Sequence, residues 1–476
     1  MIAAMGKRLF WTLLSSTLLL TACAGPPASS PPGSSPQGTE KPTLAITHVT
    51  VVDVEQGSIL PDQTVLIGGE RIVGIQPGAE PLLEAVTKID GSGKYLIPGL
   101  VDSHVHYVDS LTFGRLMLAN GVLLVRDMGM PTELAISLRD ALNKGDLLGP
   151  EMVATGTILD GDPPLIPVIS LGLKTPEEGR EAVRRQAKAG VDQIKVYSGL
   201  EKEIFLAIVD EAKKHKLKVV GHVPEAIAIE QATQAGMSSS EHLFGFEKII
   251  GRLLGEPVRL EKGGMGPQTY FWLRLGEVDP IKLREALAPI LATGMAVCPT
   301  TIVFRTGQDL NEIYAGTYRL LEYASGKLRE LWVGLWPPGS QDPVELGQLW
   351  PKMGAFVKIL SDEEVPLLVG TDLSFPGIIP GFSLHEEMAL WQEMGVPAAA
   401  ILKSATIVPA AFMGLDSKIG TVEEGKEASL VLLRANPLVD IANAQQIEGV
   451  FLRGKYYNRA DLDRLLEEAK ELAVSP

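Results

Sequence analysis

The chain has 476 residues, of which 45% are hydrophobic, and its 58 acidic and 43 basic side chains give a formal net charge of −15. This length suits one large domain with an appendage, and the composition is that of a folded, loop-rich protein rather than a disordered or fibrous one. No nucleic-acid partner is expected, because nucleic-acid binders concentrate Lys and Arg on one surface and this sequence has no basic stripe. Cys23 lies in an N-terminal targeting segment and Cys298 in an apolar strand-like run, so no disulfide framework is predicted.

The first 42 residues predict targeting rather than a folded domain. Two basic residues precede an apolar run over residues 9–20 and then small residues, as in a secretory signal peptide. Leu-Thr-Ala-Cys at residues 20–23 resembles the bacterial lipoprotein box, which implies that Cys23 is lipidated and becomes the mature N-terminus. An ordinary signal peptide is the alternative. We expect a signal peptide over residues 1–22, a flexible Pro-, Ser- and Gly-rich tether over residues 23–42, and an exported protein lipid-anchored in the bacterial cell envelope, facing the periplasm or the outer surface.

The mature chain begins with short β-type runs over residues 43–89, which predict a small antiparallel sheet. Strand character returns near the other end, over residues 419–433 and 449–457, and residues 461–472 are typical of a terminal helix. We expect the C-terminal strands to join the N-terminal ones in a single small sheet.

From Leu96 onward, strand-like and helical stretches alternate along the chain. Strands are predicted at residues 96–106, 122–127, 151–155, 193–197, 218–222, 238–242, 295–298 and 366–372. Amphipathic helical stretches separate most of them, for example residues 176–189 and 201–214. Eight β/α units over roughly 300 residues favour a parallel barrel over an open sheet.

Two stretches, residues 249–279 and 305–362, exceed the normal length of a connection. Long insertions after barrel strands usually form lids or substrate walls. The alternative is a packing surface or the interface of a homo-oligomer, and the sequence leaves both open.

The candidate metal ligands all fall at the carboxyl ends of predicted strands, where barrel enzymes place their chemistry. His104 and His106 lie two apart on the first strand, so both point to the same side. His222 ends the fifth strand, His242 the sixth and Asp372 the eighth. A lone His-x-His has the plain alternative of two polar strand-end residues. Because four of the seven histidines occupy such positions, we favour a metal site.

Lys195, on the fourth predicted strand, is an unusual member of this set because an ammonium group cannot ligate a cation. Burial near positive charge lowers a lysine pKa and frees the amine, which can add carbon dioxide. The resulting carbamate has two oxygens that can bridge two metals. The alternative is an ion pair with Asp372, and the accompanying histidines favour the bridge. Tyr197 shares the face of Lys195 and is either a donor to a substrate carbonyl or a packed barrel tyrosine.

Three further positions are candidates for supporting roles. Asp102 lies on the face of His104 and could orient a ligand imidazole. Arg126 could meet a substrate carboxylate, although pairing with a neighbouring residue is favoured. His385 opens the helix after the eighth strand and is a candidate to reach the pocket.

The combined motifs resemble the amidohydrolase superfamily, in its prolidase and imidazolonepropionase-like branch. They are found at residues 98–106, 125–129, 194–196, 221–222, 241–242, 369–372, 404–410 and 419–425. The resemblance covers about residues 43–457 and implies an α/β fold, a distorted TIM (β/α)8 barrel with a small β-sandwich domain built from both chain ends. The expected boundaries are 43–97 and 418–460 for the sandwich, 98–417 for the barrel and 461–476 for the C-terminal helix.

The same resemblance implies a site for two divalent metal ions, most often zinc. In that pattern His104, His106 and Asp372 hold the more buried metal, His222 and His242 hold the other, and carboxylated Lys195 bridges them, with carbon dioxide bound as the carbamate. Glu225 stands in a His-x-x-Glu that resembles the superfamily's deaminases, which hold one metal and use the glutamate to move protons. Because Lys195 is present, we interpret Glu225 as a helix-start residue.

The expected activity is hydrolysis of a C–N amide or peptide bond in a small molecule, such as a dipeptide or an N-acyl amino acid. A hydroxide bridging the metals would attack, and Asp372 would act as general acid and base. Three alternatives stay open. They are cleavage of lactones, esters or phosphotriesters at the same site, deamination with one metal and Glu225, and a non-catalytic binding protein of the envelope.

Overall fold

The computed structural model describes residues 41–82, 86–256 and 266–474. The predicted signal peptide and most of the tether lie outside the described residues, as does part of the predicted insertion at 249–279. Within the described ranges, no helix is both long and apolar enough to cross a membrane.

The strands are as follows. They are β1 (Leu44–Asp53), β2 (Ser58–Gly68), β3 (Arg71–Pro77), β4 (Thr87–Asp90), β5 (Tyr95–Pro98), β6 (Leu100–Val105), β7 (Val122–Asp127), β8 (Glu151–Ala154), β9 (Ile158–Gly161), β10 (Ser170–Leu173), β11 (Gln193–Val196), β12 (Lys218–Gly221), β13 (Met237–Glu241), β14 (Ala296–Cys298), β15 (Leu430–Leu433), β16 (Ile447–Leu452) and β17 (Lys455–Asn458).

The α-helices are as follows. They are α1 (Phe113–Ala119), α2 (Thr132–Lys144), α3 (Pro176–Ala189), α4 (Lys202–Lys214), α5 (Ile229–Ala235), α6 (Phe246–Leu253), α7 (Gly266–Leu273), α8 (Pro280–Leu291), α9 (Thr301–Gly307), α10 (Leu310–Ala315), α11 (Gly326–Leu335), α12 (Pro343–Asp362), α13 (Phe382–Glu393), α14 (Ala398–Ser404), α15 (Ile407–Met413) and α16 (Arg459–Val474). Short 3-10 helices lie at Leu275–Glu277, Leu321–Tyr323 and Ile441–Gln445.

Strands from the two ends of the chain form one sheet, in the order β17-β16-β15-β5-β1-β2-β3, with β4 paired to β1. The link between the ends is the antiparallel pair of β15 and β5, where Val431 lies opposite Ile97. The prediction that the C-terminal strands join the N-terminal ones is therefore confirmed. The sheet is mixed rather than purely antiparallel, because β1 runs parallel to both β4 and β5.

The central part of the chain is an α/β structure with two parallel sheets, β6-β7-β8 and β10-β9-β11-β12-β13-β14. Six of the predicted strands appear as β7, β8, β11, β12, β13 and β14, each within one residue of its expected bounds. The sequence does not predict β9 and β10. The described strands do not form one continuous closed ring.

The eighth predicted strand, residues 366–372, is an extended segment and not a regular strand. Single bridges join it to β14 through Leu367 and to β6 through Leu373, so the segment lies between these two strands. Asp372 has a φ of +57°, a left-handed conformation that interrupts strand geometry between these two bridges.

The described parts of the predicted insertions contain helices that pack on each other. The ring of Phe356 on α12 makes edge contacts with Trp272 on α7 and Phe246 on α6, with centroids 5.1 and 5.2 Å apart. Trp332 on α11 is fully buried in the same core. The insertions therefore belong to the body of the protein, and α11 faces the cavity described next.

Candidate metal centre

The predicted ligands line one cavity of about 200 Å³ at the carboxyl ends of the parallel strands. Those that line it are His104, His106, Lys195, His222, His242 and Asp372, together with Tyr197. The structure thus brings together residues that the sequence places on five separate strands. Their roles as metal ligands stay predictions.

Strand endings position each of these side chains. Lys195 lies within β11, while His222 and His242 are the first residues after β12 and β13. The parallel pairing of β11 with β12 sets Lys195 opposite Val220, two residues before His222. All residues of β6 are buried, which holds His104 rigidly at the floor of the cavity.

Each of the four histidines uses its Nδ1 atom for a hydrogen bond within the protein. The partners are Glu241 Oε2 for His104 at 2.9 Å, the Gly129 carbonyl for His106 at 3.0 Å, Ser198 Oγ for His222 at 2.9 Å and Thr300 Oγ1 for His242 at 2.6 Å. These bonds orient the rings and leave each Nε2 atom available. A second partner on the opposite ring nitrogen is typical of metal-bound histidines.

The donor atoms are spaced as ligands of a shared cation would be. Asp372 Oδ1 lies 3.3 Å from His104 Nε2 and 3.6 Å from His106 Nε2. Zinc ligands at 2.0–2.1 Å in a tetrahedron would be separated by about 3.3 Å. His104 Nε2 is buried and has no hydrogen-bond partner among the described residues, which a bound cation would supply. Donor atoms of His104, His242 and Asp372 also lie within 4.8 Å of one another. The residues present therefore fit a divalent metal.

Burial sets the protonation states of the site. It lowers the pKa of His106 to about 4 and holds the pKa values of His104, His222 and His242 well below 6.5, so their lone pairs are free at neutral pH. Burial also raises the pKa of Asp372 to about 6, a shift that the charge of Lys195 opposes.

Lys195 is almost fully buried, and burial lowers the pKa of its amine to about 8, although Glu241 and Asp372 oppose this shift. About a tenth of the amine is then neutral at pH 7, far more than for an ordinary lysine, and carbamate formation requires this neutral form. Its Nζ lies 5.9 Å from the ring centroid of Tyr197. Tyr197 itself stacks on the imidazole of His222, with centroids 3.9 Å apart.

A buried ion pair supports the floor of the site. The guanidinium NH2 of Arg126 donates to both carboxylate oxygens of Glu241, at 2.9 and 3.0 Å, and Glu241 in turn accepts from His104 Nδ1. Arg126 and Glu241 are both fully buried. Arg126 therefore pairs with Glu241 on another strand and not with the adjacent Asp127, and it is not among the described residues that line the cavity.

Three expectations about supporting residues are wrong. Asp102 accepts hydrogen bonds from the backbone N–H of His104 and from Thr371, so Glu241, not Asp102, orients the imidazole. His385 is bonded to the Asn120 carbonyl and is not among the described residues that line the cavity. Glu225 is not a helix-start residue, because it lies in a turn ahead of α5 and outside the described lining.

Three residues at the site have a strained backbone conformation. His242, Thr300 and Asp372 have φ values of +56°, +48° and +57°. Residues other than glycine rarely adopt this left-handed conformation, which costs of order 1–3 kcal/mol each and clusters at functional sites. His242 and Asp372 line the cavity, and Thr300 contacts His242 through its hydroxyl group.

No sequence pattern predicts a role for Glu241, Ser198 and Thr300, which form hydrogen bonds with His104, His222 and His242. Each lies at or just beyond the carboxyl end of a strand, like the ligands themselves. A search for every polar residue at these ends would have included them as candidates, but their partners depend on contacts between distant parts of the chain.

A model of the Amidohydrolase family matches residues 95–456. The solved structure of a bottromycin amidohydrolase is 26% identical, covers 91% of each chain and superposes with a TM-score of 0.72. A putative prolidase from Bifidobacterium longum is 25% identical, covering 91% of this chain and 100% of that one with a TM-score of 0.63. A Xaa-Pro dipeptidase with bound methionine is 22% identical and shares the fold, with a TM-score of 0.65.

Short segments of this chain are similar to curated adenine deaminases. An adenine deaminase of Nitratidesulfovibrio vulgaris (strain DP4) is 38% identical over 96 residues, and one of Chelativorans sp. (strain BNC1) is 33% identical over 92 residues. The matched segments span 19% and 18% of this chain and 15% of the length of either relative.

Proposed function

Because this chain belongs to the amidohydrolase family, we propose that it hydrolyses a C–N amide bond in a small molecule with the help of two divalent cations. The observation that carries the proposal is the convergence of four neutral imidazoles, a buried lysine and a half-buried carboxylate in one cavity. Similarity to a bottromycin amidohydrolase and to a putative prolidase supports amide cleavage.

We propose the ligand assignment that the family resemblance implies, and the spacing of Asp372 from His104 and His106 supports its first part. His104, His106 and Asp372 would hold one cation, and His222 and His242 the other, with Lys195 between them as a carbamate. When bound, such cations lower the pKa of water toward 7 and polarise a carbonyl.

Proton transfer is assigned to Asp372. Its carboxyl has a pKa of about 6, so it is mostly ionised at pH 7 and can accept the proton of the attacking water. After C–N cleavage the same oxygen can deliver that proton to the leaving nitrogen. Tyr197 is proposed to donate its hydroxyl hydrogen to the scissile carbonyl, since burial raises its pKa and keeps it protonated.

Asp372→Asn tests this assignment. We expect turnover of amide substrates to fall by about 10²–10⁴, the usual contribution of general acid–base catalysis, while bound metal is retained. Metal analysis and a panel of dipeptides and acylated amino acids would measure both quantities, with lactones and phosphotriesters included as competing substrates. Undiminished turnover by the variant would refute the role of Asp372.

Deamination is a second candidate because of the segment similar to adenine deaminases. The position of Glu225 outside the described cavity lining disfavours it. Release of ammonia from adenine by protein with one metal per chain would select deamination over amide cleavage.

The cellular location is proposed from the first 23 residues alone. We propose that a lipid on Cys23 anchors the protein to the cell envelope. Cys23→Ser should move the protein from the membrane fraction to the soluble fraction after cell lysis. Retention of the variant in membranes would contradict lipid anchoring at this residue.

A further inference from the structure

The candidate site has a polar floor and an apolar wall. The floor consists of the predicted ligands and Tyr197. Above it the cavity is lined mainly by apolar side chains, among them Met130, Ile158, Ile169, Leu331, Leu335 and Trp336. A substrate whose amide reaches the floor must place its remaining groups against this wall.

Helix α11 supplies the most continuous part of the wall. Leu331 and Leu335 are four residues apart and so lie on the same side of the helix. Trp336, the next residue, packs edge-on against Phe375, with ring centroids 5.2 Å apart. Phe375 lies three residues after Asp372, so this contact ties the wall to the segment that carries the proposed proton-transfer group.

The wall offers a charged substrate group little compensation. The described lining residues include two lysines, Lys195 on the floor and Lys327. Lys327 is exposed at the start of α11. The carboxylate of Asp109 is engaged in its own turn, where it accepts hydrogen bonds from Leu111 and Thr112. A charge placed deeper, beside Leu331, would lose hydration without gaining a partner.

The mouth of the cavity is apolar as well. Leu111 lines it and is 45% exposed, and Leu165, next to the lining residue Ile166, is 53% exposed. Exposed apolar side chains that continue an internal apolar surface are typical of binding sites.

We infer that the substrate carries an uncharged alkyl or aryl group on its scissile amide, and that this group binds along α11 with Leu335 as a specificity-determining residue. The inference rests on the proposed amide hydrolysis and narrows it. It favours hydrophobic amides over the smallest dipeptides and over substrates whose recognition depends on a buried carboxylate.

Two matched substrate series test this inference. One lengthens the acyl chain from acetyl to octanoyl on a constant amine, and the other lengthens an alkyl chain on the nitrogen of a constant acetyl group. Burial of a methylene is worth about 0.8 kcal/mol, so each should raise kcat/KM about fourfold in one of the series until the cavity is full. Flat kcat/KM values in both series would overturn the inference.

A pair of variants on α11 tests whether the substrate group binds against Leu335. Leu335 lines the cavity and is half-buried, whereas Val333 is 49% exposed and outside the described lining. Leu335→Asp should abolish the dependence on chain length, while Val333→Asp should retain it. Retention of the dependence by both variants, or its loss in both, would refute the role of Leu335.

Binding of unreactive ligands separates this inference from the proposed function. Calorimetry with methyl ketones from acetone to 2-octanone measures apolar binding without hydrolysis. Amide hydrolysis with equal affinity for all ketones would overturn the inference and leave the proposed function standing. Rising affinity with ketone length, in protein that hydrolyses no amide, would support an apolar ligand site and contradict the hydrolase proposal.

Discussion

Glu241 is the buried residue whose replacement tests the supporting structure of the site most directly. Its carboxylate accepts hydrogen bonds from His104 Nδ1 at 2.9 Å, from Arg126 at 2.9 and 3.0 Å and from Ser239 Oγ at 2.5 Å. Glu241→Gln keeps the size of the side chain but replaces one acceptor oxygen with an NH2 donor. At least one of these donors then faces another donor, and Arg126 loses its counter-charge.

Two effects of different kinds follow from this geometry. Removing one partner of a fully buried ion pair costs about 3–5 kcal/mol of the free energy of unfolding, a large share of the usual 5–15 kcal/mol. Separately, the ring of His104 loses the acceptor that fixes its orientation. Changes to such outer partners typically weaken metal affinity about 10- to 100-fold.

Urea denaturation of metal-free protein measures the first effect, and zinc titration against a competing chelator measures the second. Glu427→Gln is a matched control, because Glu427 is also buried, accepts a hydrogen bond from Ser429 and forms an ion pair with Lys418. It lies just before β15 of the mixed sheet. The Glu427→Gln variant should lose stability and keep zinc affinity. If Glu241→Gln also binds zinc as tightly as the wild type, the positioning role of Glu241 is refuted.

Three further predictions concern the bridge, acid stability and packing. Lys195→Ala should reduce bound metal from two ions to one per chain, and metal analysis that still finds two would contradict the bridge. Burial lowers the pKa of His385 to about 4, so below pH 6.5 the unfolded state binds more protons at this residue than the folded state does. The free energy of unfolding therefore falls by up to about 3 kcal/mol as the pH drops toward 4. His385→Gln should therefore reduce the pH dependence of urea unfolding in this window, and a slope equal to that of the wild type would contradict the reasoning. A Cβ at Gly370 would lie 2.9 Å from the backbone nitrogen of His104, so Gly370→Ala should cost about 1–3 kcal/mol through overpacking, and an unchanged Tm would argue against this close approach.

The local pattern of the sequence was sufficient to locate six of the parallel strands and the residues at their ends, although it missed β9 and β10. β7 has the predicted bounds, and His222 and His242 follow their strands as expected, because alternation and short apolar runs are properties of neighbouring residues. The sequence also indicated that both chain ends share one sheet. It could not show that the eighth segment leaves strand geometry at Asp372, since a left-handed φ at a non-glycine residue has no local signature.

Contacts between distant parts of the chain determined the hydrogen-bond partners of the site residues and the position of α11 beside the cavity. The acceptor that orients His104 is Glu241, 137 residues away, and Asp102 instead bonds to Thr371, 269 residues away. The apolar wall of α11 lies beside the predicted ligands only because the insertion packs into the body of the protein. Residue types and strand ends are encoded locally, whereas the partner of each polar group depends on which surfaces the folded chain brings together.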